Sequence, residues 1–223
     1  METLPHCETL LLEKQGPALH IKDMAGARNQ KAGEGETDPF YRLNRAFGQM
    51  IQQVNESSKV VIAITEGAVM GGGFGLACVS DVAIAGPTAK FGMPETSLGI
   101  IPAQIAPFVV ERIGLTQARR LALLGLRVGA EEACALGIVH QAAASDEELN
   151  DMLTHALERI RHCAPNATAE TKALLHRVGH ESMSGLLDSA AEMFTAAVRG
   201  SEGTEGTMAF MQKRAPAWAD TNN

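Results

Sequence analysis

Residues Val60–Pro102 read VVIAITEGAVMGGGFGLACVSDVAIAGPTAKFGMPETSLGIIP, and this stretch decides the fold. It opens with Val60–Thr65, a short unbroken run of mostly Val and Ile that fits a strand buried on both faces. Gly67 breaks the run, and Gly71, Gly72 and Gly73 lead into a helix of small residues, Phe74-Gly75-Leu76-Ala77-Cys78. Bare glycines accept positive φ and let backbone N–H groups approach a ligand with no Cβ in the way. A helix N-terminus adds unsatisfied N–H donors and partial positive charge, which suits an anion or a developing oxyanion. A triple glycine on its own serves tight helix-on-strand packing just as well, so its context has to decide. Asp81–Ala85 reads as a second strand, and Phe91-Gly92-Met93-Pro94-Glu95 follows after a short loop. Glu95 stands in a segment short of other charges, where partial desolvation suits a carboxyl to general acid/base work; by itself it reads better as a surface glutamate in a loop, and the combination with the glycine turn is what carries weight.

Outside this block the chain reads as an ordinary enzyme subunit. Its 223 residues are 45% hydrophobic, enough for a sizeable core in one domain with an appended helical part. A net charge of -7 disfavours nucleic acid or an anionic membrane as partner, since either calls for a basic surface. The four cysteines, Cys7, Cys78, Cys134 and Cys163, show no C-x-x-C spacing and read as reduced thiols of a cytoplasmic protein, with Cys78 packed in the core. The opening METLPHCETLLLEK lacks the basic and apolar regions of a signal peptide, and no apolar run reaches the length of a membrane span.

Ala25–Thr37 is polar and glycine-rich, and reads as a flexible segment. Asp38 and Pro39 then look like an N-cap and first helical residue, followed by an apolar stripe of Phe40, Leu43, Phe47, Met50 or Ile51, and Val54 that predicts a helix packed on the sheet. After Pro102 the pattern turns helical. Short helices are predicted over Ala106–Ile113, Thr116–Leu124 and Ala130–Leu136, with Gly114 and Gly137 as C-caps. Longer ones are predicted over Asp146–Cys163, Ala169–Val178, Gly185–Val198 and Gly203–Lys213. His176 and His180 stand four apart, a metal-ligand spacing, but no third ligand accompanies them and a surface face is the expected reading. No serine or cysteine nucleophile with a matching histidine is evident, nor any phosphate-binding loop of the G-x-x-x-x-G-K type.

The order GGG, helix, SDVAIA, AKFGMPE, SLGIIP, continued from Ile113-Gly114 through Gly137-Ile138-Val139, resembles the central block of the crotonase (enoyl-CoA hydratase/isomerase) superfamily. Phe210–Arg214 with Pro216 and Trp218 is similar to its closing helix, so the likeness runs over roughly residues 59–218. The resemblance implies an α/β fold: a crotonase-like spiral core of ββα repeats over residues 1–139, and a helical C-terminal trimerisation region over 140–223. It implies an acyl-CoA thioester as substrate, no further cofactor, no metal, and a homotrimer or dimer of trimers. It places the catalytic acid/base at Glu95, an oxyanion-hole N–H at Gly72, and the acyl pocket around Gly71, Gly72 and Gly75. CoA contacts fall to Ile21, Lys22 and Lys213.

Two departures bear on function. Family hydratases with two catalytic glutamates carry the first where this chain has Gly75, so Glu95 alone remains. Near the N-terminus, Thr9–His20 is similar to the family's first strand and turn, whereas Ile21-Lys22-Asp23-Met24 is similar to the end of its GGD-I-K-x-M segment. The few dozen residues that normally lie between, including the turn with the other oxyanion donor, are not there; a true deletion, an error in the reading of the gene and an omitted segment are equally open. A single carboxylate suits hydration by syn addition, and within the family the resemblance is closest to hydratases of β-branched glutaconyl-CoA esters, the isohexenyl and methyl homologues. With a glycine at 75, space would open and a repelling charge would go. The same lone glutamate suits an enoyl-CoA isomerase, and the missing block suits a non-catalytic acyl-CoA-binding or assembly subunit.

Overall fold

The computed structural model describes residues 37–219 and the backbone of residues 10–12. In chain order the strands are β1 (Leu10–Leu12), β2 (Val61–Thr65), β3 (Ala68–Met70), β4 (Val82–Ala85), β5 (Lys90–Gly92), β6 (Arg127–Gly129) and β7 (Gln141–Ala142). The helices are α1 (Pro39–Asn55), α2 (Gly72–Val79), α3 (Ala106–Leu124), α4 (Ala130–Ala135), α5 (Asp146–Arg161), α6 (Pro165–His176), α7 (Met183–Arg199) and α8 (Ser201–Met211), with 3-10 turns at Glu95–Leu98 and Ala217–Ala219.

The ββα repeat expected from the resemblance is present. Strand β2 passes through a turn at Gly67, whose φ is 54°, into β3, and then into α2. The next pass, β4 and β5, lies parallel on the first, with Ile62 opposite Val82 and Val69 opposite Phe91. Repeating this step makes two sheets, one in the order β1-β2-β4-β7 and one in the order β3-β5-β6. The β2 and β4 strands are continuous apolar runs because both of their faces are covered: Val61, Ile62, Ala83 and Ile84 are wholly buried. Phe74 of α2 meets Phe91 of β5 edge to face, ring centroids 6.3 Å apart, and fastens the small-residue helix to the second sheet.

Asp38 caps α1 as its sequence foretells, accepting from the Phe40 and Tyr41 N–H groups at 2.7 and 3.3 Å. The apolar stripe, however, is buried only from Gly48 onward. Phe40 is 40% exposed, so this aromatic is not core. The two short helices expected on either side of Gly114 are there and meet within α3 at a break, Gly114, where φ 74° and ψ 158° are reached without a Cβ penalty. Gly137 caps the end of α4 as expected, at φ 79° with its N–H donated to Cys134 O at 3.0 Å.

The chain divides into two compact units: among the described residues, 11–12, 37–55 and 61–153 make one, and 10, 56–60 and 154–219 the other. In the second, the Glu202 carboxylate of α8 accepts from Asn166 and Ala167 N–H at the start of α6, both at 3.0 Å. Glu205 holds Arg214 at 2.6 and 2.8 Å and the Ala217 N–H at 2.8 Å, while Trp218 lies against Gly206. Helix α6 ends at His176, and His180 falls in the turn beyond, so the two histidines share no helix face.

Candidate active site

Four glycines and one carboxylate form the centre of the first unit. Gly71 joins β3 to α2 at φ 51° and ψ -114°, a conformation that only glycine adopts without strain. Its N–H is donated to Gly92 O at 3.1 Å, which ties the start of α2 to the end of β5 and leaves Gly71 as a spacer rather than an oxyanion donor. A Cβ on Gly71 would stand 2.9 Å from Glu95 Oε1, so the carboxylate lies directly against the bare backbone where α2 begins. The Gly72 N–H belongs to the first turn of that helix, where no intrahelical carbonyl reaches it. The Glu95 carboxylate and the first N–H groups of α2 therefore lie at the same end of that helix.

Glu95 is positioned by its own turn. It opens the 3-10 helix Glu95–Leu98, and its carbonyl accepts from Ile100 N–H at 3.0 Å as the chain leaves through Gly99 at φ 73°. Ser97 Oγ donates to Pro94 O at 2.6 Å, and Thr96 Oγ1 donates to Ala122 O of α3 at 2.8 Å. These bonds fix the turn to a helix, which keeps the carboxylate aimed. The side chain is half-buried, with Oε2 shut off from solvent.

Gly75 differs from expectation. Instead of opening space, it sits buried beneath two aliphatic side chains: an added Cβ would lie 2.9 Å from Ile51 Cδ1 and 3.0 Å from Ile105 Cβ. Ile51 and Ile105 are 0% and 3% exposed, so the volume is filled and dry. Gly72 is covered likewise by Phe47, whose Cζ would be 2.6 Å from an added Cβ. Ile105 and Phe47 are the site residues that sequence reasoning missed. Phe47 belongs to the α1 stripe and packs on the core as that stripe suggests, but it is half-buried and also covers the Gly72 turn. Ile105 carries no local signal, because its contact lies 30 positions away in the chain.

Behind α2 lies a polar node. Arg112 of α3 donates to Gly137 O at 2.8 Å, Ile138 O at 3.3 Å and Ser80 O at 3.4 Å, placing a cation at the C-terminal end of α2. His140 Nδ1 accepts from Ala83 N–H at 2.9 Å, and burial and the Arg112 charge hold this imidazole below its ordinary pKa. Cys78 faces the same node, and burial pushes its thiol up to about 12. That thiol is inert core.

Lys213 follows α8 with its backbone at φ 53°, an uncommon conformation for a side-chain-bearing residue, and its head is exposed. Ile21 and Lys22 lie outside the described residues, as does the junction after His20. Among the described residues no cluster of three or more His, Cys, Asp or Glu could hold a metal, and no helix is long and apolar enough to cross a membrane.

Residues 24–221 match the family model described as enoyl-CoA hydratase/isomerase. The chain belongs to that family. An enoyl-CoA hydratase/isomerase from Marinobacter aquaeolei is 84% identical, with a TM-score of 0.87 over 90% of this chain and 76% of its own. Pseudomonas aeruginosa AtuE is 56% identical, with a TM-score of 0.85 over the same shares, 90% and 76%. The 2,3-dehydroadipyl-CoA hydratase of Escherichia coli K12 is 31% identical over 81% of this chain and 71% of its own. Family membership makes this an enzyme of acyl-CoA chemistry, of the enoyl-CoA hydratase (hydro-lyase) type.

Proposed function

We propose that the protein hydrates an α,β-unsaturated acyl-CoA with Glu95 as its single acid/base. The observation that carries this reading is the contact of Glu95 Oε1 with the Gly71 backbone, which puts the carboxylate beside the first N–H groups of α2. Addition of water drives negative charge onto the thioester oxygen as the enolate forms. The Gly72 N–H, backed by the helix, stabilises that charge. Glu95 takes a proton from the water whose oxygen bonds to the β-carbon, and then returns a proton to the α-carbon as the enolate collapses. One carboxylate serves both transfers because syn addition keeps them on one face.

The substrate is a β-branched glutaconyl-type ester, isohexenylglutaconyl-CoA or its methyl homologue. What speaks for it is the resemblance read from the sequence and the absence at Gly75 of a carboxylate that would repel the substrate's distal carboxylate. The reaction needs no cofactor, and Lys213 with Ile21 and Lys22 serves the CoA nucleotide. The working form is a cytoplasmic homotrimer or dimer of trimers.

The test is a substrate panel of 3-methylglutaconyl-CoA, its isohexenyl homologue and crotonyl-CoA, with products resolved as hydrated or double-bond-shifted esters. Preferential hydration of a glutaconyl ester is expected. A shifted double bond without hydration would replace this reading by the isomerase. No turnover by folded, CoA-binding protein would replace it by the non-catalytic binder, and loss of one oxyanion donor, typically worth about 10²–10³ in turnover, would then be the cause to examine.

A further inference from the structure

The geometry points to Ile105 as the residue that restricts this site to one carboxylate. The Gly75 N–H is donated to Gly71 O at 3.0 Å, so position 75 stands one helical turn beyond the residue against which Glu95 lies. No such side chain has room. The place of its first carbon is taken chiefly by Ile105 Cγ2, with Ile51 Cδ1 at 2.9 Å and Ile105 Cβ at 3.0 Å, all within a buried aliphatic wall. Ile105 comes from the turn that opens α3, and Gln104 beside it is anchored by its Nε2 to Asn44 Oδ1 of α1 at 2.8 Å. The segment is held on α1 and cannot simply swing away. Positions 75 and 105 are thus a coupled pair: a small residue at one is required by the branched residue at the other. Ile105 is a specificity-determining residue, since with Ile51 it keeps a second ionisable group out of the helical turn next to Glu95.

This inference rests on the reading of Glu95 as the acid/base, but its test needs no turnover. Gly75→Gln and Gly75→Glu are each made in the native chain and in Ile105→Ala, and unfolding midpoints are compared. In the native background Gly75→Gln should lower the midpoint by roughly 5–10 °C through overpacking. In Ile105→Ala, which removes the Cγ2 contact and keeps those of Ile105 Cβ and Ile51 Cδ1, the same change should cost measurably less. The second readout separates a shared site from mere packing. Two facing carboxylates resist double ionisation, so the Glu/Ala variant should lose stability relative to the Gln/Ala variant as pH rises through the carboxylate range. That gap should narrow when Glu95→Gln is added, leaving only the part that burial of the carboxyl causes. Equal cost of Gly75→Gln in both backgrounds, or a gap indifferent to Glu95→Gln, overturns the proposal. If the long variants do not fold, Gly75→Ala runs the same cycle, and equal cost in both backgrounds is again fatal. A failed substrate panel with a successful cycle would overturn the function and leave the pair standing, and the converse holds.

Discussion

Gly71 shows how much a single position carries: its φ of 51° and the Glu95 oxygen 2.9 Å from an added Cβ both demand glycine. Gly71→Ala should therefore cost about 1–3 kcal/mol in denaturant unfolding, and should reduce activity further by displacing the carboxylate. A stability loss indistinguishable from zero would show that the turn relaxes. The cysteines separate just as cleanly. Cys78 is buried with its thiol pushed up to about 12, while Cys163 is exposed. A thiol reagent on native protein near neutral pH should label Cys163 and spare Cys78, read by peptide mass spectrometry. Labelling of Cys78 at a comparable rate would mean that the core opens. At this scale neither the glycine turn nor Glu95 announces itself alone; their order along the chain is what singled out Gly72 and Glu95. Gly75 was legible only as an absence, and Ile105, which fills it, was invisible because packing partners distant in sequence leave no pattern.

Between elements, the join of α3, β4 and the chain after α4 depends on a neutral imidazole. His140 Nδ1 accepts the Ala83 N–H while Arg112 stands 3.2–3.3 Å from the ring nitrogens, with Asp81 and Cys78 nearby and Cys134 Sγ donating to the His140 carbonyl. A proton on Nδ1 would remove that acceptor and place a second cation against the guanidinium. The folded state therefore binds the proton less readily than the unfolded chain. This contribution to stability is complete above the ordinary histidine range and drains as pH falls through it. Lowering pH from about 7 to about 5 should depress the unfolding midpoint more in the native protein than in His140→Gln, and parallel curves would refute this role. In the C-terminal unit Glu205 is drawn down to about 2 by its bonds to Arg214 and the Ala217 N–H, so that clasp persists until strongly acid pH. The elements themselves were readable from period and caps: α1 began at its Asp38 cap, and β2 and β4 came within a residue of their expected starts. The short strands β3, β5, β6 and β7 were not singled out, since two or three residues carry no periodicity. Gly114 was readable, since its positive φ breaks α3 into the two helices its flanking sequence suggests.

The whole molecule leaves apolar surface on its C-terminal helices. Along α7, Leu187, Phe194 and Val198 recur on one helical face and are 60%, 70% and 47% exposed. Such a row fits the proposed oligomer. Phe194→Glu should reduce the particle mass in light scattering by a whole-number step, whereas an unchanged mass would remove this face from the assembly. The ββα spiral was legible at this scale because each pass repeats a strand, a turn and a helix signal in fixed order, and the arrangement of subunits was not, because subunit contacts leave the same exposed apolar residues as any other docking. The central claim is narrower: one carboxylate, Glu95, performs both proton transfers of hydration. Its most direct test is the initial rate of hydration of 3-methylglutaconyl-CoA by the native protein and by Glu95→Gln, at matched folded concentration. A fall of about 10²–10⁴-fold is expected. A Glu95→Gln protein that hydrates within a fewfold of the native rate would contradict the account.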